Sequence, residues 1–136
     1  MVTSMQKITT FLTFFGKAEE AMNFYVSLFD RSEALSIQRY GPNEEGAEGS
    51  VKHATFALNG QQFMCIDSNM KHDGTFTPAI SLYVRCQSEE EIDRLYERLS
   101  EGGQVFVPLD AYPYSEKFAW LGDRYSVSWQ LALDRQ

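Results

Sequence analysis

The sequence predicts an α+β protein in which one order of elements, a strand, a helix and three strands, occurs twice. Two apolar segments rich in β-branched or aromatic residues are each followed by a break and by an amphipathic helix that begins with acidic residues. Asn59-Gly60 lies between two further strand-like segments, and Asn-Gly favours a hairpin because both turn residues need positive φ. Residues 111–131 are dense in aromatic side chains, which favours a sheet face that borders a cavity.

The first module begins with a buried strand at residues 8–15, which Gly16 ends. A helix is predicted over residues 17–29, because apolar side chains recur there at helical spacing. Glutamates occupy its first turn, where the helix dipole favours negative charge. Three strands are predicted to follow, at residues 34–40, 51–58 and 61–67.

The second module repeats this order from a strand at residues 79–85. Its helix is predicted over residues 88–101, since Ser88 and Glu91 have the spacing of a capping box and Gly102-Gly103 is a stop signal. The three predicted strands that follow are at residues 104–107, 118–121 and 127–133.

The two modules are expected to form one domain. The 136 residues are 43% hydrophobic and 23% charged, which is the composition of a folded globular protein. No low-complexity segment separates the modules. We therefore expect a single domain over residues 5–136, with one module at about 5–70 and the other at about 77–134.

Charge and hydropathy restrict the partners. The net charge of −7 would repel nucleic acid, and no basic stripe offsets it. No apolar segment approaches the roughly 20 residues that span a bilayer. The first residues lack the charged and apolar regions of a secretory signal. These features predict a cytoplasmic protein with neither nucleic acid nor membrane as a partner.

The chain has two cysteines, Cys65 and Cys86, which lie within or at the end of predicted strands. In a cytoplasmic protein such a pair is more often two free buried thiols than a disulfide. A catalytic thiol would need a neighbouring base, and His53 and His72 are the histidines of the sequence. Nothing in the local sequence marks an activated thiolate.

Two groups of motifs, one near each end of the chain, resemble those of a known family. The first is Phe-Leu-Thr-Phe-Phe-Gly at residues 11–16, followed by Ala-Glu-Glu-Ala-Met-Asn-Phe-Tyr at 18–25. The second consists of Ser-Glu-Lys-Phe at 115–118, Trp120, Asp-Arg-Tyr at 123–125 and Ser-Trp-Gln-Leu at 128–131. In this order they resemble the PhnB-like family, also called demethylubiquinone-methyltransferase-like, of the vicinal oxygen chelate superfamily. The C-terminal group is the specific part of the match.

The resemblance implies a glyoxalase/bleomycin resistance/dioxygenase fold, in which two βαβββ modules form a cupped mixed sheet. It also implies a homodimer, because the cup is often completed by a second subunit. The cup would hold a small-molecule ligand. In catalytic members of the superfamily, a divalent metal held by His, Glu or Gln polarises paired oxygens of the substrate.

The residues that match the superfamily's metal positions are poor metal ligands. By the resemblance these positions are Thr9, Met64, Ala79 and Gln130. A divalent ion in such a site is held by imidazole or carboxylate, which none of the four supplies. We therefore expect neither a metal nor another cofactor. An unusual metal geometry that uses His53, Asp67 or His72 stays open as the alternative.

Strand alternation extends the resemblance to a set of ligand contacts. If Ala79 faces the cup, Ser81 and Tyr83 also face it. Alternate residues of that strand would then face the helix: Ile80, Leu82 and Val84. The predicted ligand-binding residues are Thr9, Phe11, Ser81, Tyr83, Trp120 and Gln130. Such a pocket would suit a flat, weakly polar molecule, although the same aromatic residues could simply fill the sheet.

Four functions stay open at this point. The first is metal-free binding of a small, partly apolar molecule, with or without catalysis. The second is a metal-dependent lyase, isomerase or dioxygenase of the same superfamily. The third is the methyltransferase of the family label, although no Gly-rich loop links a strand to a helix. The fourth is a structural role based on dimerisation. Acid–base chemistry would require Glu116, Asp110 or Asp67 beside the cavity.

Overall fold

Each half of the chain folds into its own four-stranded mixed sheet with one helix against it. The computed structural model describes residues 6–68 and 76–135. These two ranges belong to two separate compact units, called the first and second unit below. The predicted α+β class and the repeated element order are confirmed.

The elements of the first unit are β1 (Thr10–Phe14), α1 (Ala18–Val26), β2 (Glu33–Arg39), β3 (Val51–Leu58) and β4 (Gln61–Asp67). The strands lie in the order β1-β4-β3-β2, with β1 parallel to β4 and the other pairs antiparallel. Asn59 and Gly60 join β3 to β4 with φ values of 51° and 84°. The predicted Asn-Gly hairpin is therefore confirmed.

The second unit repeats this topology in the order β5-β8-β7-β6, with β5 parallel to β8. Its elements are β5 (Leu82–Cys86), α2 (Glu89–Ser100), β6 (Gln104–Tyr112), β7 (Ser115–Gly122) and β8 (Ser128–Leu133). The longer of the two helices, α2, has 12 residues. Within the two described ranges, no helix is long and apolar enough to cross a bilayer.

One face of each sheet is buried against its helix. Helix α1 buries Ala18, Ala21, Met22 and Tyr25, and α2 buries Ile92, Leu95 and Leu99. From the second sheet, Leu121, Trp129 and Leu131 complete the core beneath α2. Each large apolar side chain removed from water in this way stabilises the fold by about 1.5–3 kcal/mol. We call the opposite side of each sheet its open face.

A buried carboxylate takes the place of a side-chain cap at the start of α1. The N-cap residue Lys17 makes no capping hydrogen bond. Instead, Asp67 Oδ1 accepts the backbone N–H groups of Gly16 (2.8 Å) and Ala18 (2.9 Å), and its Oδ2 accepts that of Val51 (3.0 Å). The end of β4 thereby fixes the start of the helix and the start of β3.

Asp123 has the corresponding role in the second unit. Its Oδ1 accepts the N–H groups of Tyr125 (2.8 Å) and Val127 (3.0 Å), and its Oδ2 accepts Trp129 Nε1–H (2.8 Å). These bonds fix the turn between β7 and β8, and hence the register of the two strands. Gly122 consequently lies opposite Ser128.

Helix α2 begins as predicted. Ser88 is its N-cap, and the Ser88 hydroxyl accepts Glu91 N–H at 3.1 Å. The Glu91 carboxylate accepts the N–H of Gln87, one residue before the cap, at 2.7 Å. Lys117 of β7 ties the first turn to the sheet through Glu89 (3.1 Å) and Asp93 (3.0 Å).

The predicted bounds of β6 and β7 were wrong. The strand at residues 104–107 continues to Tyr112, because β6 is an edge strand and tolerates Pro108, which has no N–H group. Register shifts along the β6–β7 pairing accommodate the residues around it. The next strand begins at Ser115, so Glu116 lies in β7 and not in a turn.

The start of β5 was also predicted wrongly. The strand begins at Leu82, and Ala79 and Ile80 lie in a turn before it. The partner strand β8 begins at Ser128, and the first registered pair is Leu82 with Trp129. Ile80 was predicted to face the helix but is 79% exposed.

We expect replacement of Asp67 by alanine to lower the free energy of unfolding by about 3 kcal/mol or more. Three backbone N–H groups would lose their acceptor, and each buried donor without a partner costs about 1–3 kcal/mol. Urea unfolding followed by circular dichroism measures the change. Asp30→Asn, at an exposed aspartate, is the control. A loss for Asp67→Ala as small as that of the control would contradict the role assigned to this carboxylate.

Candidate ligand-binding site on the second sheet

The open face of the second sheet is a grid of side chains from three adjacent strands, β5, β8 and β7. The register pairs Tyr83 with Gln130, and Gln130 with Trp120. We count its rows from the end of the sheet near the β7–β8 turn, called the turn end. The first row is Ser81, Ser128 and Gly122, and the second is Tyr83, Gln130 and Trp120. The third row is Arg85, Ala132 and Phe118. The first row is small and polar, and the second has an amide between two aromatic rings.

Four side chains of the upper two rows form one hydrogen-bonded group, which we call the serine cluster: Ser81, Ser128, Trp120 and Gln130. The hydroxyl oxygens of Ser81 and Ser128 are 2.6 Å apart. Trp120 Nε1–H donates to Ser128 Oγ at 2.8 Å, and Gln130 Nε2 donates to Ser81 Oγ at 3.4 Å. Ser128 is buried, whereas the other three are partly exposed.

A cavity of about 400 Å³ lies at the turn end of this face. Gly122 and Phe106 line it, and both adjoin the serine cluster. Gly122 pairs with Ser128, and the Phe106 ring meets the Trp120 ring edge-on, with centroids 5.9 Å apart. The other lining residues are Phe76, Pro78, Gly102, Gly103, Gln104, Asp123, Arg124 and Ser126. The cavity therefore borders the serine cluster through Gly122 and Phe106, although none of the four cluster side chains lines it, and we treat the two together as the candidate site.

The shape of the cavity depends on glycine at position 103. A Cβ atom there would lie 2.1 Å from the carbonyl oxygen of Gly122, an overlap that only a backbone shift could relieve. A Cβ at Gly122 would meet the Phe106 ring at 3.4 Å, a contact that a small side-chain adjustment allows. Gly103 is thus required for the close approach of β6 to the β7–β8 turn.

The lower end of the same face is aromatic. Tyr112 and Tyr114 stack with centroids 5.6 Å apart, and both rings meet Phe118 edge-on. Phe118 is buried beneath them, while Tyr114 is 64% exposed. These three rings fill the bottom of the face, so the space open to a ligand lies towards the serine cluster.

On the open face of the first sheet, an aromatic ring, a thioether and a hydroxyl group lie on three neighbouring strands. Phe11 of β1 lies beside Met64 of β4, which in turn lies beside Thr55 of β3. The Phe11 ring is 49% exposed and contacts the His53 ring, with centroids 6.3 Å apart. Thr9 precedes β1, and its hydroxyl accepts Gln6 Nε2–H at 3.4 Å.

The structure thus brings together four of the six predicted ligand-binding residues. Ser81, Trp120 and Gln130 belong to the serine cluster, and Tyr83 is the cross-strand neighbour of Gln130. Thr9 and Phe11 belong to the first unit. Contact of any of the six residues with a ligand stays a prediction.

The residues that line the cavity were missed in the set predicted from sequence. Ser128 was not: strand alternation places it, two residues before Gln130, on the face predicted to line the cup, and it lies at the centre of the cluster. Phe106 lines the cavity from an irregular part of β6, where register shifts break strand alternation. No sequence pattern could have placed it there.

Comparison with known proteins identifies the family. The family model described as 3-demethylubiquinone-9 3-methyltransferase matches residues 6–132. The chain belongs to this family. The resemblance to PhnB-like proteins is confirmed by the PhnB protein from Bacillus cereus, which is 64% identical over 94% of this chain and 99% of that chain, with a TM-score of 0.93.

Other solved structures in this comparison support the fold. Protein PA1353 from Pseudomonas aeruginosa is 26% identical, with 98% of this chain and 100% of that chain covered and a TM-score of 0.81. The glyoxylase/bleomycin resistance protein/dioxygenase domain from Frankia sp. EAN1pec is 16% identical, with 98% and 95% covered and a TM-score of 0.67. At that identity the likeness extends to the fold alone. Comparison with curated proteins gives no match.

The residues that the resemblance assigns to the superfamily's metal positions do not fit a divalent ion. Thr9 accepts a hydrogen bond from Gln6, and Met64 offers a thioether. Ala79, which lies in the turn before β5, has no donor atom in its side chain. Gln130 directs Nε2 towards Ser81. Across residues 6–68 and 76–135, no three His, Cys, Asp or Glu side chains form a group that could hold a metal.

The alternative candidates for metal binding or acid–base chemistry that the structure describes are hydrogen-bonded to backbone, packed on a ring or exposed. Both carboxylate oxygens of Asp67 accept backbone N–H groups in the first unit. Asp110 Oδ1 accepts the N–H of Ala111 at 2.8 Å, and Glu116 is exposed in β7. His53 packs on Phe11. His72 lies outside the described residues.

Both cysteines are free, buried thiols, as predicted. Burial, together with the negative charge of Asp67, raises the pKa of the Cys65 thiol from 9.0 to about 12. Burial, together with the smaller effect of the negative charge of Glu91, raises the pKa of the Cys86 thiol from 9.0 to about 12. Neither thiol forms an appreciable amount of nucleophilic thiolate at neutral pH.

We expect both thiols of the folded protein to react with a disulfide reagent such as DTNB at pH 8 at least 100-fold more slowly than free cysteine. A pKa of about 12 keeps the reactive thiolate scarce. The pKa of each thiol is higher in the folded state than in the unfolded state, so the protonated thiols stabilise the fold below about pH 9. Their contribution to the free energy of unfolding is lost as the pH rises towards 12. Absorbance at 412 nm follows the reaction, and protein in guanidinium chloride is the control. Rapid modification of either thiol in the folded state would contradict the assignment.

Proposed function

We propose that the protein binds a small, flat, partly apolar molecule on the open face of the second sheet, without a metal ion. The observation that carries this proposal is the serine cluster beside a cavity of about 400 Å³. Ligand sites are typically concave and largely apolar, with a few convergent polar groups that orient the ligand. The cluster supplies the polar groups, and Tyr83, Trp120 and Phe106 supply the apolar walls.

The exposure of these groups supports binding rather than a purely structural role. Tyr83 is 55% exposed and Phe106 is 38% exposed, so their rings are available for contact. A cluster that served only to fill the sheet would have its polar atoms enclosed. Here Ser81, Trp120 and Gln130 all keep partial contact with solvent.

Metal-dependent chemistry is not proposed, because the side chains at the metal positions lack suitable donors. Thioether and amide groups are weak ligands for the borderline and hard divalent ions. The predicted ligand-binding residues of the first unit, Thr9 and Phe11, remain part of the proposal as further contacts.

The methyltransferase of the family description is not proposed either. Nucleotide-type cofactors are recognised by a Gly-rich loop between a strand and a helix. Residues 15–17, between β1 and α1, are Phe-Gly-Lys, and residues 87–88, between β5 and α2, are Gln-Ser. Neither connection has this pattern, so calorimetry with S-adenosylmethionine is expected to give no binding heat.

We expect the flat probe 2-naphthol to bind at the serine cluster. In ¹⁵N-correlated NMR spectra, the indole N–H signal of Trp120 should shift on titration. That of Trp129 should stay in place because it is buried and bonded to Asp123. Ser128→Ala removes the acceptor of Trp120 and should weaken binding about 5–10-fold, the equivalent of one hydrogen bond. Ser27→Ala, at an exposed serine of the first unit, is the control.

Two results would contradict the proposal. One is the absence of any Trp120 shift at millimolar 2-naphthol. The other is stoichiometric zinc, nickel or iron in the same preparation, purified without chelators and measured by plasma mass spectrometry.

We further propose a cytoplasmic homodimer, in line with the family resemblance. Two buried free thiols support a reducing compartment. Exposed apolar side chains support an interface, and the largest exposed fractions are those of Ile8 (85%), Ile80 (79%) and Tyr114 (64%).

We expect analytical ultracentrifugation to show a species of twice the mass of one chain across the micromolar range. Ile80→Glu and Tyr114→Glu place a charge on two of the exposed apolar positions, and at least one should shift the equilibrium towards monomer. Glu116→Gln, at an exposed polar position, serves as the comparison. A monomer at every concentration would contradict the proposal of a homodimer.

A further inference from the structure

The direction of the hydrogen bonds in the serine cluster can be deduced from burial. Either hydroxyl of the Ser81–Ser128 pair could donate across the 2.6 Å that separates their oxygens. Ser128 is only 2% exposed, and its oxygen already accepts Trp120 Nε1–H. Among the described residues, Ser81 Oγ is the one hydrogen-bonding partner of the Ser128 hydroxyl that can accept its proton.

Ser128 must therefore donate to Ser81. The reverse direction would leave a buried hydroxyl proton without an acceptor, a cost that Ser81, which is partly exposed, does not incur. Ser81 Oγ then accepts two hydrogen bonds, one from Ser128 and one from Gln130 Nε2. Its own proton has no acceptor within the described part of the chain and points to the open face.

These hydrogen bonds form a chain with one direction: the Trp120 indole donates to Ser128, and Ser128 donates to Ser81. Hydrogen bonds in such a chain polarise one another, which strengthens the terminal donor. Ser81 thus presents an activated O–H group where the sheet meets solvent. Gln130 adds an acceptor beside it, since Nε2 is directed to Ser81 and Oε1 has no recorded partner among the described residues.

Donor and acceptor lie between two aromatic side chains. Tyr83 and Trp120 are on the strands either side of Gln130, so their backbones are about 9–10 Å apart. That spacing accommodates a planar system of one or two fused rings. The ring edge would then face the Ser81 hydroxyl and the Gln130 carbonyl.

No side chain in the upper two rows of the grid carries a charge at neutral pH that could pair with a charged ligand. Tyr83 is a phenol, and the remaining side chains are neutral. Arg124 lines the adjoining cavity but already takes part in another interaction, and Arg85 in the third row is 80% exposed and lies 4.0 Å from Asp134. A carboxylate placed among the neutral side chains of the serine cluster would lose its hydration without gaining a cation there.

Resting on the proposed function, we infer that the ligand is an uncharged planar lactam or cyclic imide. Its ring carbonyl accepts the Ser81 proton, and its adjacent ring N–H donates to Gln130 Oε1. Ser81 and Gln130 are therefore the residues that determine specificity. Trp120 and Ser128 position the Ser81 hydroxyl.

Three probes of similar size test this inference on the unmodified protein. 2-Quinolinone has the carbonyl and the N–H, N-methyl-2-quinolinone keeps the carbonyl alone, and quinoline-2-carboxylate is an anion. Titrations followed by the Trp120 indole signal give each dissociation constant. We expect 2-quinolinone to bind at least 5-fold more tightly than the N-methyl compound, and the carboxylate to bind most weakly.

Two variants assign the contacts. Gln130→Met keeps the side-chain length and should abolish the difference between the two quinolinones. Ser81→Ala should weaken both quinolinones about equally, because both carry the carbonyl. Ser27→Ala should change neither. Unchanged circular dichroism spectra confirm that the variants are folded, and the comparison of probes on the unmodified protein does not depend on them.

The outcomes separate this inference from the proposal on which it rests. Equal binding of the two quinolinones, or tightest binding of the carboxylate, would overturn the ligand class and leave small-molecule binding intact. Failure of all three probes and of 2-naphthol to shift the Trp120 signal would overturn both.

Discussion

The candidate site depends on the three hydrogen bonds that the buried carboxylate of Asp123 accepts. They fix the turn from β7 to β8 and set Gly122 opposite Ser128. In a sheet, a slip of one residue would move every side chain of β8 to the other face. Ser128 and Gln130 would then point into the core beneath α2, and Trp129 would lie in the open. The position of the polar groups is thus a consequence of the turn.

The buried face and the candidate site are the two sides of the same strands. On β8, Trp129 and Leu131 anchor the helix, while Ser128 and Gln130 alternate with them on the opposite side. The stability of the helix face holds the polar face in place without further support from the polar groups. In the proposed function, partly exposed residues such as Gln130 serve recognition, while the helix face supplies the stability.

Much of the local structure could be predicted from sequence, because its causes are local. The Asn59-Gly60 hairpin, the Ser88 cap and the apolar stripes of both helices each follow from a few adjacent residues. The course of β6 could not be predicted, since Pro108 is tolerated only at a sheet edge, and edge position is a property of the whole sheet. The central role of Ser128 depends on Ser81 and Trp120, which come together only through strand pairing. Whether the two units form one domain stays a prediction.

The irregularity of β6 has a further consequence for solutions of this protein. An unbroken outer strand offers a regular row of N–H and C=O groups on which another chain can continue the sheet. In β6 that row is interrupted by Pro108 and by three shifts of register. Another polypeptide could align with only short stretches of it. This border of the second sheet therefore offers few consecutive groups for open-ended growth of β-structure.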